Sequence, residues 1–434
     1  MVFVSTIFNV PRTPKPRNLG GSVVMEPLKI RNFRLLFFAQ ATSTSGSFMQ
    51  DVAQAWLVLQ LSHDYTALGV VVAFQYVPML FFGAWGGVFS DRFDRRRLLF
   101  ATDALGGVLA LILAVLVLTN SVQIWQIYLL AILLGFANLV NQPAGQSILG
   151  ELVGEDLLTR AVGLTVSLVS LARVVGPIVA GIVLATLGFG ACFLVNAATF
   201  AVSLACLAAM RPAEMYPAVH IPREHRQVRA ALSHVWATHN LKITLILLVI
   251  MGIFCFNFAI TLAVLGKGAF GVDEAGFAVL FACWGFGGGF GSLLAARKSS
   301  PDLKRLGWIG VLFGFSVLVM AVCPTLTEAA AVSVIVGVLT FWFVSMSADL
   351  LQVSSRPEMR GRVMALWFVV LWGSYPIGSP LMTWAANSAG PRAPLVLCGA
   401  VATAACGSWL FWAHFREHGH ALAGRPGDAG TPDQ

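Results

Sequence analysis

Charge is what this sequence lacks. Of its 434 residues only 11% are charged and 57% are hydrophobic, whereas a soluble domain carries about 25% charged residues. So few charges do not cover the surface of a water-soluble protein of this length. The missing polar surface has to face lipid. No dense basic patch with interleaved aromatics lies on a water-facing domain, so the net charge of +8 is no nucleic-acid footprint. GxxxxGK[ST] is absent, and Gly266-Lys267-Gly268 fails it at both ends, so the chain has no nucleotide-driven motor of its own. HExxH and a nucleophile elbow are also missing; Glu417-His418-Gly419-His420 is a polar tail. Without a catalytic constellation, the sequence predicts no enzyme, no cofactor and no metal. Cys192, Cys206, Cys255, Cys283, Cys323, Cys398 and Cys406 form no CxxC pair and read as small buried hydrophobes.

Long apolar runs are what it has in abundance. A helix needs about 20 apolar residues to cross the hydrocarbon core. Twelve such runs are legible: 35–60, 67–89, 98–119, 123–149, 162–187, 189–210, 241–265, 273–296, 305–323, 327–352, 363–388 and 393–415. The fold class predicted is an all-α integral membrane protein with 12 transmembrane helices. Residues 28–210 form an N-terminal six-helix half and 241–415 a C-terminal one, joined by a cytoplasmic linker at 211–240. Residues 1–27 read as a loose tail or as untranslated sequence ahead of Met25, and 416–434 as a disordered tail. Lys and Arg set the orientation. With both termini in the cytoplasm of a cell (inner) membrane, the inside segments hold 25 of the 28; Lys267 and Arg392 lie outside and Arg173 within a span.

The halves resemble each other at an offset of 202 residues. Gly83, Gly86 and Gly87 fall on Gly285, Gly288 and Gly289, Arg160 on Arg362, Gly176 on Gly378, and Gly188 on Gly390. Paired six-helix pseudo-repeats, with a substrate site between them near mid-membrane, are a transporter architecture.

One local motif carries mechanism: Gly87-Val-Phe-Ser-Asp91-Arg92-Phe93-Asp94-Arg95-Arg96-Arg97, after the second span. Gly83 and Gly87 let a neighbouring helix come close. Asp91 is then placed to meet a helix N-terminus or an Arg of the other half and to latch one conformation, with Arg92, Arg95 and Arg96 around it. The blander reading is that the Arg cluster only fixes topology.

This motif resembles the signature loop of the major facilitator superfamily. Asn32-Phe33-Arg34-Leu35-Leu36, the stretch Met49-Gln50-Asp51-Val52-Ala53-Gln54-Ala55-Trp56, Arg173-Val-Val-Gly176-Pro177, Phe193-Leu194-Val195-Asn196 and Arg360-Gly361-Arg362-Val363-Met364 resemble its transmembrane secretion effector branch, which includes enterobactin exporters and macrolide efflux proteins. The resemblance covers about 28–415. It implies the major facilitator fold, with helices one, four, seven and ten around a central cavity. Gly176, Pro177 and Gly181 resemble the helix-five motif of exporters, with Ala180 where a further Gly is common. Pro kinks and Gly thins a helix, which makes a flexible seam or simply a close-packed one. The helix-four Arg of many drug exporters has no counterpart here, so a coupling scheme built on it does not transfer.

Charges inside spans are costly, roughly 2.5–3.5 kcal/mol each on insertion scales, and so mark function. Asp51 reads as a proton-linked acid, with Arg173 as its counter-ion or as the holder of an anionic substrate; a permanent structural ion pair is the alternative. Cavity candidates on the implied lining helices are Gln50, Gln54, Asn138, Asn141, Gln142, Asn257, Trp342 and Asp349. Apolar walls with few fixed polar groups suit an amphiphilic small molecule. The expected function is proton-coupled efflux of a drug-like compound or siderophore. The partners are then substrate, protons and the lipid bilayer. A solute importer of the same fold and a non-transporting scaffold or sensor are the alternatives.

Overall fold

In the computed structural model the described residues are 25–62, 64–216, 227–296, 301–356 and 359–423, and the backbone alone is described at 84–92, 227–231, 296 and 416–423. Every regular element among them is helical. A short 3-10 turn leads into α1 (Arg31–Leu61), followed by α2 (Thr66–Arg92) and α3 (Arg95–Leu118). The next helical run, Ile124–Ala208, is 85 residues long but breaks at Gly154 (φ 70°, ψ 179°) and Gly188 (φ 79°, ψ −176°). A side chain is strained in that region, so Gly turns the chain there. The pieces are α4 (124–153), α5 (155–187) and α6 (189–208).

The second half opens with a short helix, α7 (Gln227–Ala237), and continues with α8 (His239–Phe254) and α9 (Phe258–Leu265), which runs into one π-turn at Gly266–Phe270. Then come α10 (Glu274–Ala296), α11 (Leu303–Val322), α12 (Leu326–Ser354), α13 (Arg360–Gly373), α14 (Tyr375–Ala389) and α15 (Ala393–Ala423). Each apolar run of the sequence coincides with a helix or helix pair. The run 241–265 breaks at 255–257, and 363–388 breaks at Ser374, two residues before Pro376. Helix α7 lies in the stretch read as a linker, and α15 continues into the stretch read as a tail; residues 1–24 lie outside the described ones.

Among the described residues nine stretches are long and apolar enough to cross a membrane, with 124–208 counted as one. Helix α1 falls outside that set because Thr42, Ser43, Thr44, Ser45, Ser47, Gln50, Asp51 and Gln54 interrupt its apolar face. Large apolar side chains such as Leu111, Ile182, Phe315 and Phe411 are exposed, which suits a surface solvated by lipid. The chain is a multi-pass membrane protein. Its main core runs through both halves, from Met49 and Trp56 to Phe258, Phe277 and Phe343; a second cluster around Phe33, Leu99, Ile148 and Leu152 closes one end of the first half.

The break in the seventh run is stitched by its own asparagine. Asn257 Nδ2 donates to the Ile253 carbonyl at 3.1 Å, and Asn257 Oδ1 accepts from Ser379 Oγ at 2.9 Å. An interrupted helix at membrane depth must satisfy its freed backbone groups internally, and this pair does so. Gly390 turns the chain before α15 with φ 93° and ψ 171°, nearly the conformation of Gly188 before α6.

Candidate functional site between the two halves

Asp51 on α1 faces a cavity of about 50 Å³ lined by Gln54 of the same helix, Leu68, Gln75 and Tyr76 of α2, and Ala259 of α9. The two halves therefore share it. The Gln75 side chain hydrogen-bonds the Asp51 carboxylate. No ion pair joins Asp51 to Arg173. A larger apolar cleft of about 180 Å³ lies between α7 and α8, around Trp236 and Lys242, away from these groups.

Beside the cavity stands an aromatic cluster. The ring of Tyr76 stacks on Tyr375 at a centroid distance of 4.6 Å and on Trp372 at 5.6 Å. Trp372 and Tyr375 stack on each other at 5.8 Å across the α13–α14 kink. Arg173 of α5 lies with its guanidinium carbon 4.2 Å from the Phe341 ring centre and 5.3 Å from that of Phe48. This cation–π bracket replaces the carboxylate partner expected for it. Both tyrosine hydroxyls are within electrostatic range of Asp51 and of Arg173. Gln75, Tyr76, Phe341, Trp372 and Tyr375 were not singled out by sequence reasoning. A signal existed: the chain has only five Tyr, and a Tyr inside a span needs somewhere for its hydroxyl to go.

The remaining cavity candidates are dispersed. Gln50 is buried and accepts from Asn196 at 2.6 Å, with Gln54 one turn away. Asn141 donates to Thr102 at 2.7 Å and to Asp103 at 2.9 Å, and Asp103 also accepts from Ser203, a network inside the first half. Asn257 is buried at the helix break. Asn138 and Trp342 are half-buried, while Gln142 and Asp349 are exposed.

The helix-five motif packs on two neighbours. A Cβ on Gly176 would lie 2.6 Å from Phe48 Cβ and 2.8 Å from the Ser45 carbonyl, both on α1. A Cβ on Gly181 would lie 2.9 Å from Ala278 Cβ on α10, across the boundary between the halves. Pro177 is buried beside Gly176. In the second half, a Cβ on Gly378 would lie 2.1 Å from the Ile253 carbonyl, so α14 approaches α8 as α5 approaches α1.

The two ends of the bundle differ. At the end carrying the α1–α2 link, hydrogen bonds cross between the halves: Asn387 Oδ1 accepts from the Tyr65 amide at 3.1 Å, and Asn387 Nδ2 donates to Thr66 Oγ1 at 2.9 Å. Lys267 donates to the Leu59 carbonyl beside them, and Trp56 stacks on Phe277 at 5.6 Å. At the opposite, Arg-rich end, contacts knit the first half to itself. Arg95 pairs with Glu151 of α4, and Arg160 with Glu26. Arg96 donates to the last carbonyls of α6, Leu207 at 2.8 Å and Ala208 at 3.0 Å, a cation capping a helix C-terminus. Asn32 and Arg211 exchange hydrogen bonds at 2.9 and 3.0 Å, tying α1 to the end of α6. Gly83 faces Val369 of α13, while the side chains of 84–92, with Gly87, Asp91 and Arg92, lie outside the described ones.

Comparison with known proteins agrees with this architecture. A family model described as transmembrane secretion effector matches residues 22–421. The staphyloferrin A transporter of Staphylococcus aureus is 25% identical over 364 residues, 79% of this chain and 86% of that protein. The multidrug efflux pump Tap of Mycobacterium tuberculosis is 24% identical over 387 residues, 85% of this chain and 92% of the pump. Among solved structures, a bacterial homolog of the human lysosomal transporter Spinster, inward-facing and unoccupied, superposes with a TM-score of 0.68 at 14% identity, covering 89% of this chain and 97% of that one.

Proposed function

The chain belongs to the transmembrane secretion effector family of the major facilitator superfamily, which makes it a membrane transporter of efflux type and not an enzyme, and on that premise we propose that it exports an amphiphilic small molecule in exchange for protons. The observation that carries the coupling is the Asp51 carboxylate, held in a cavity shared by both halves with Gln75 as its neutral partner and no cation paired to it among the described residues. A carboxyl group so placed is free to take up and release a proton as the cavity opens to either side. Arg173, Tyr76 and Tyr375 are the other charged or titratable groups that face it. A multidrug efflux pump that aligns with 85% of this chain and 92% of its own length supports the outward direction.

Twelve spans follow if the run 124–208 counts as three and α1 is admitted with its polar face turned to the cavity. The matched turns at Gly188 and Gly390, and the matched seams at Gly176 and Gly378, support two six-helix pseudo-repeats. With the Arg-rich end in the cytoplasm of the cell membrane, both termini are cytoplasmic. The crossing hydrogen bonds then close the outer end. The Gly83–Asp91–Arg96 loop serves as the latch that forms when the inner end closes.

The test is transport in everted membrane vesicles with and without an imposed proton gradient, against fluorescent amphiphiles, macrolides and siderophores. Gradient-driven accumulation that is lost in Asp51→Asn is the expected result. Accumulation that ignores the gradient, or proton-driven accumulation that survives Asp51→Asn, overturns the coupling.

A further inference from the structure

The central site is polarised. Arg173 of α5, Tyr76 of α2 and Tyr375 of α14 are half-buried at one side of it, and none of the three has a hydrogen-bond partner among the described residues. Arg carries five N–H donors and no acceptor, and each phenol carries one O–H. This side therefore offers donors and one fixed positive charge with nothing to receive them. Phe341 and Phe48 bracket the guanidinium without supplying an acceptor. The other side is the reverse. Asp51 presents a carboxylate with room for several donors and meets one, Gln75. Tyr76 links the two, since it lines the cavity with Asp51 and stacks on Tyr375 and Trp372.

A simple cation would satisfy Asp51 and leave Arg173 uncompensated; a simple anion would do the opposite. A direct Asp51–Arg173 pair would satisfy both, and it is not formed. We propose that the site takes a zwitterionic aromatic amphiphile, its carboxylate received by Arg173 and the hydroxyls of Tyr76 and Tyr375, its ammonium by Asp51, and its planar group by Trp372. This deepens the export reading and rests on it for the choice of cavity. It also supplies the exchange that export needs. The incoming ammonium and a proton compete for one carboxylate, so substrate binding from inside expels the proton taken up outside. Carboxylate recognition by a guanidinium flanked by hydroxyl donors is charge-assisted and directional.

The probe set is Nε-dansyl-lysine, which keeps both the α-ammonium and the α-carboxylate, with its methyl ester, which lacks the anion, and its Nα-acetyl derivative, which lacks the cation. Binding to the purified full-length protein is read at neutral pH by dansyl emission sensitised by tryptophan. In the unaltered protein the ester and the acetyl derivative each bind about tenfold or more weaker than the zwitterion. Arg173→Gln abolishes the ester's handicap and leaves the acetyl one; Asp51→Asn does the reverse; Arg173→Lys keeps part of the ester's handicap and shows that the fold tolerates the position. The proposal is overturned if the three probes bind alike, if none binds, or if the ester remains handicapped in Arg173→Gln. Because binding is measured without transport, a protein that selects the zwitterion but moves no protons would sink the exchange reading and leave this one standing.

Discussion

The Asn257 side chain occupies the helix break that it relieves: its amide donates to the Ile253 carbonyl at 3.1 Å, and its own oxygen accepts from Ser379 at 2.9 Å. Gly378 sits against the same carbonyl. The two pieces of the seventh run, α8 and α9, are thus held to α14 by one polar residue in an apolar surrounding. Asn257→Ala leaves a buried carbonyl and the Ser379 hydroxyl unpaired, a cost of roughly 1–3 kcal/mol each. Ser379→Ala loses one neutral bond, about 1 kcal/mol. Thermal unfolding of the purified variants should rank them in that order. Equal midpoints would mean that lipid or water relieves the break instead.

Thr66 and Asn387 join the halves at the proposed outer end at 2.9 Å. A disulfide between Thr66→Cys and Asn387→Cys should hold that end shut, stop transport, and restore it on reduction, in a background freed of the seven native cysteines, none of which is paired. Asn387→Ala removes two bonds across the halves, each worth about 1 kcal/mol. It should shift the population toward the outward-open state, read as faster labelling of a cysteine at Gln54. Unchanged labelling and unimpeded transport by the cross-linked protein would show that this contact does not gate.

The helices were legible from the sequence because a span is a local property: about 20 apolar residues suffice, whatever their neighbours. Short turns at Gly188 and Gly390 were legible for the same reason. The break at 255–257 was not, since Ile253-Phe254-Cys255-Phe256-Asn257-Phe258 is nearly all apolar and the break depends on Ser379 and Gly378, more than a hundred residues away. The site was half legible. Asp51 and Arg173 stand out as charges in apolar runs, but their partners come from packing: Gln75 and Tyr76 on α2, Phe341 on α12, Trp372 and Tyr375 at a kink. Fold analogy pointed to helices one, four, seven and ten, and of these partners it reaches Phe341 alone. Asn141, which shares its amide between Thr102 and Asp103, looks no different in sequence from a cavity residue.

Gly176 and Gly181 lie on one helix and face different partners, so one added methyl should act differently at each. Gly176 meets α1 of its own half, and a Cβ there would come within 2.6 Å of Phe48 Cβ. Helices packed within one half move together, so Gly176→Ala should lower stability by about 1–3 kcal/mol, the usual cost of overpacking. Gly181 meets Ala278 of the other half, 2.9 Å from an added Cβ. That contact changes as the halves rock, so Gly181→Ala should alter the transport rate severalfold with a smaller change in melting. Identical signatures for both would mean that the seam between α5 and α10 is static.

Asp51 and Asp103 are both acids inside spans, and their surroundings assign them different work. Asp103 accepts from Ser203 on one oxygen and from Asn141 on the other. Two neutral donors fix it as a stable acceptor that cross-links α3, α4 and α6. Asp103→Asn turns one acceptor into a donor facing a donor, so it should lower the melting temperature and leave the proton dependence of transport intact. Asp51 has a single neutral partner and an open cavity, so Asp51→Asn should change melting little and remove the proton dependence. Measuring both properties on both variants makes a two-by-two test. Loss of proton dependence in Asp103→Asn, at a temperature where that variant is folded, would move the coupling role from the shared cavity to the first half's interior.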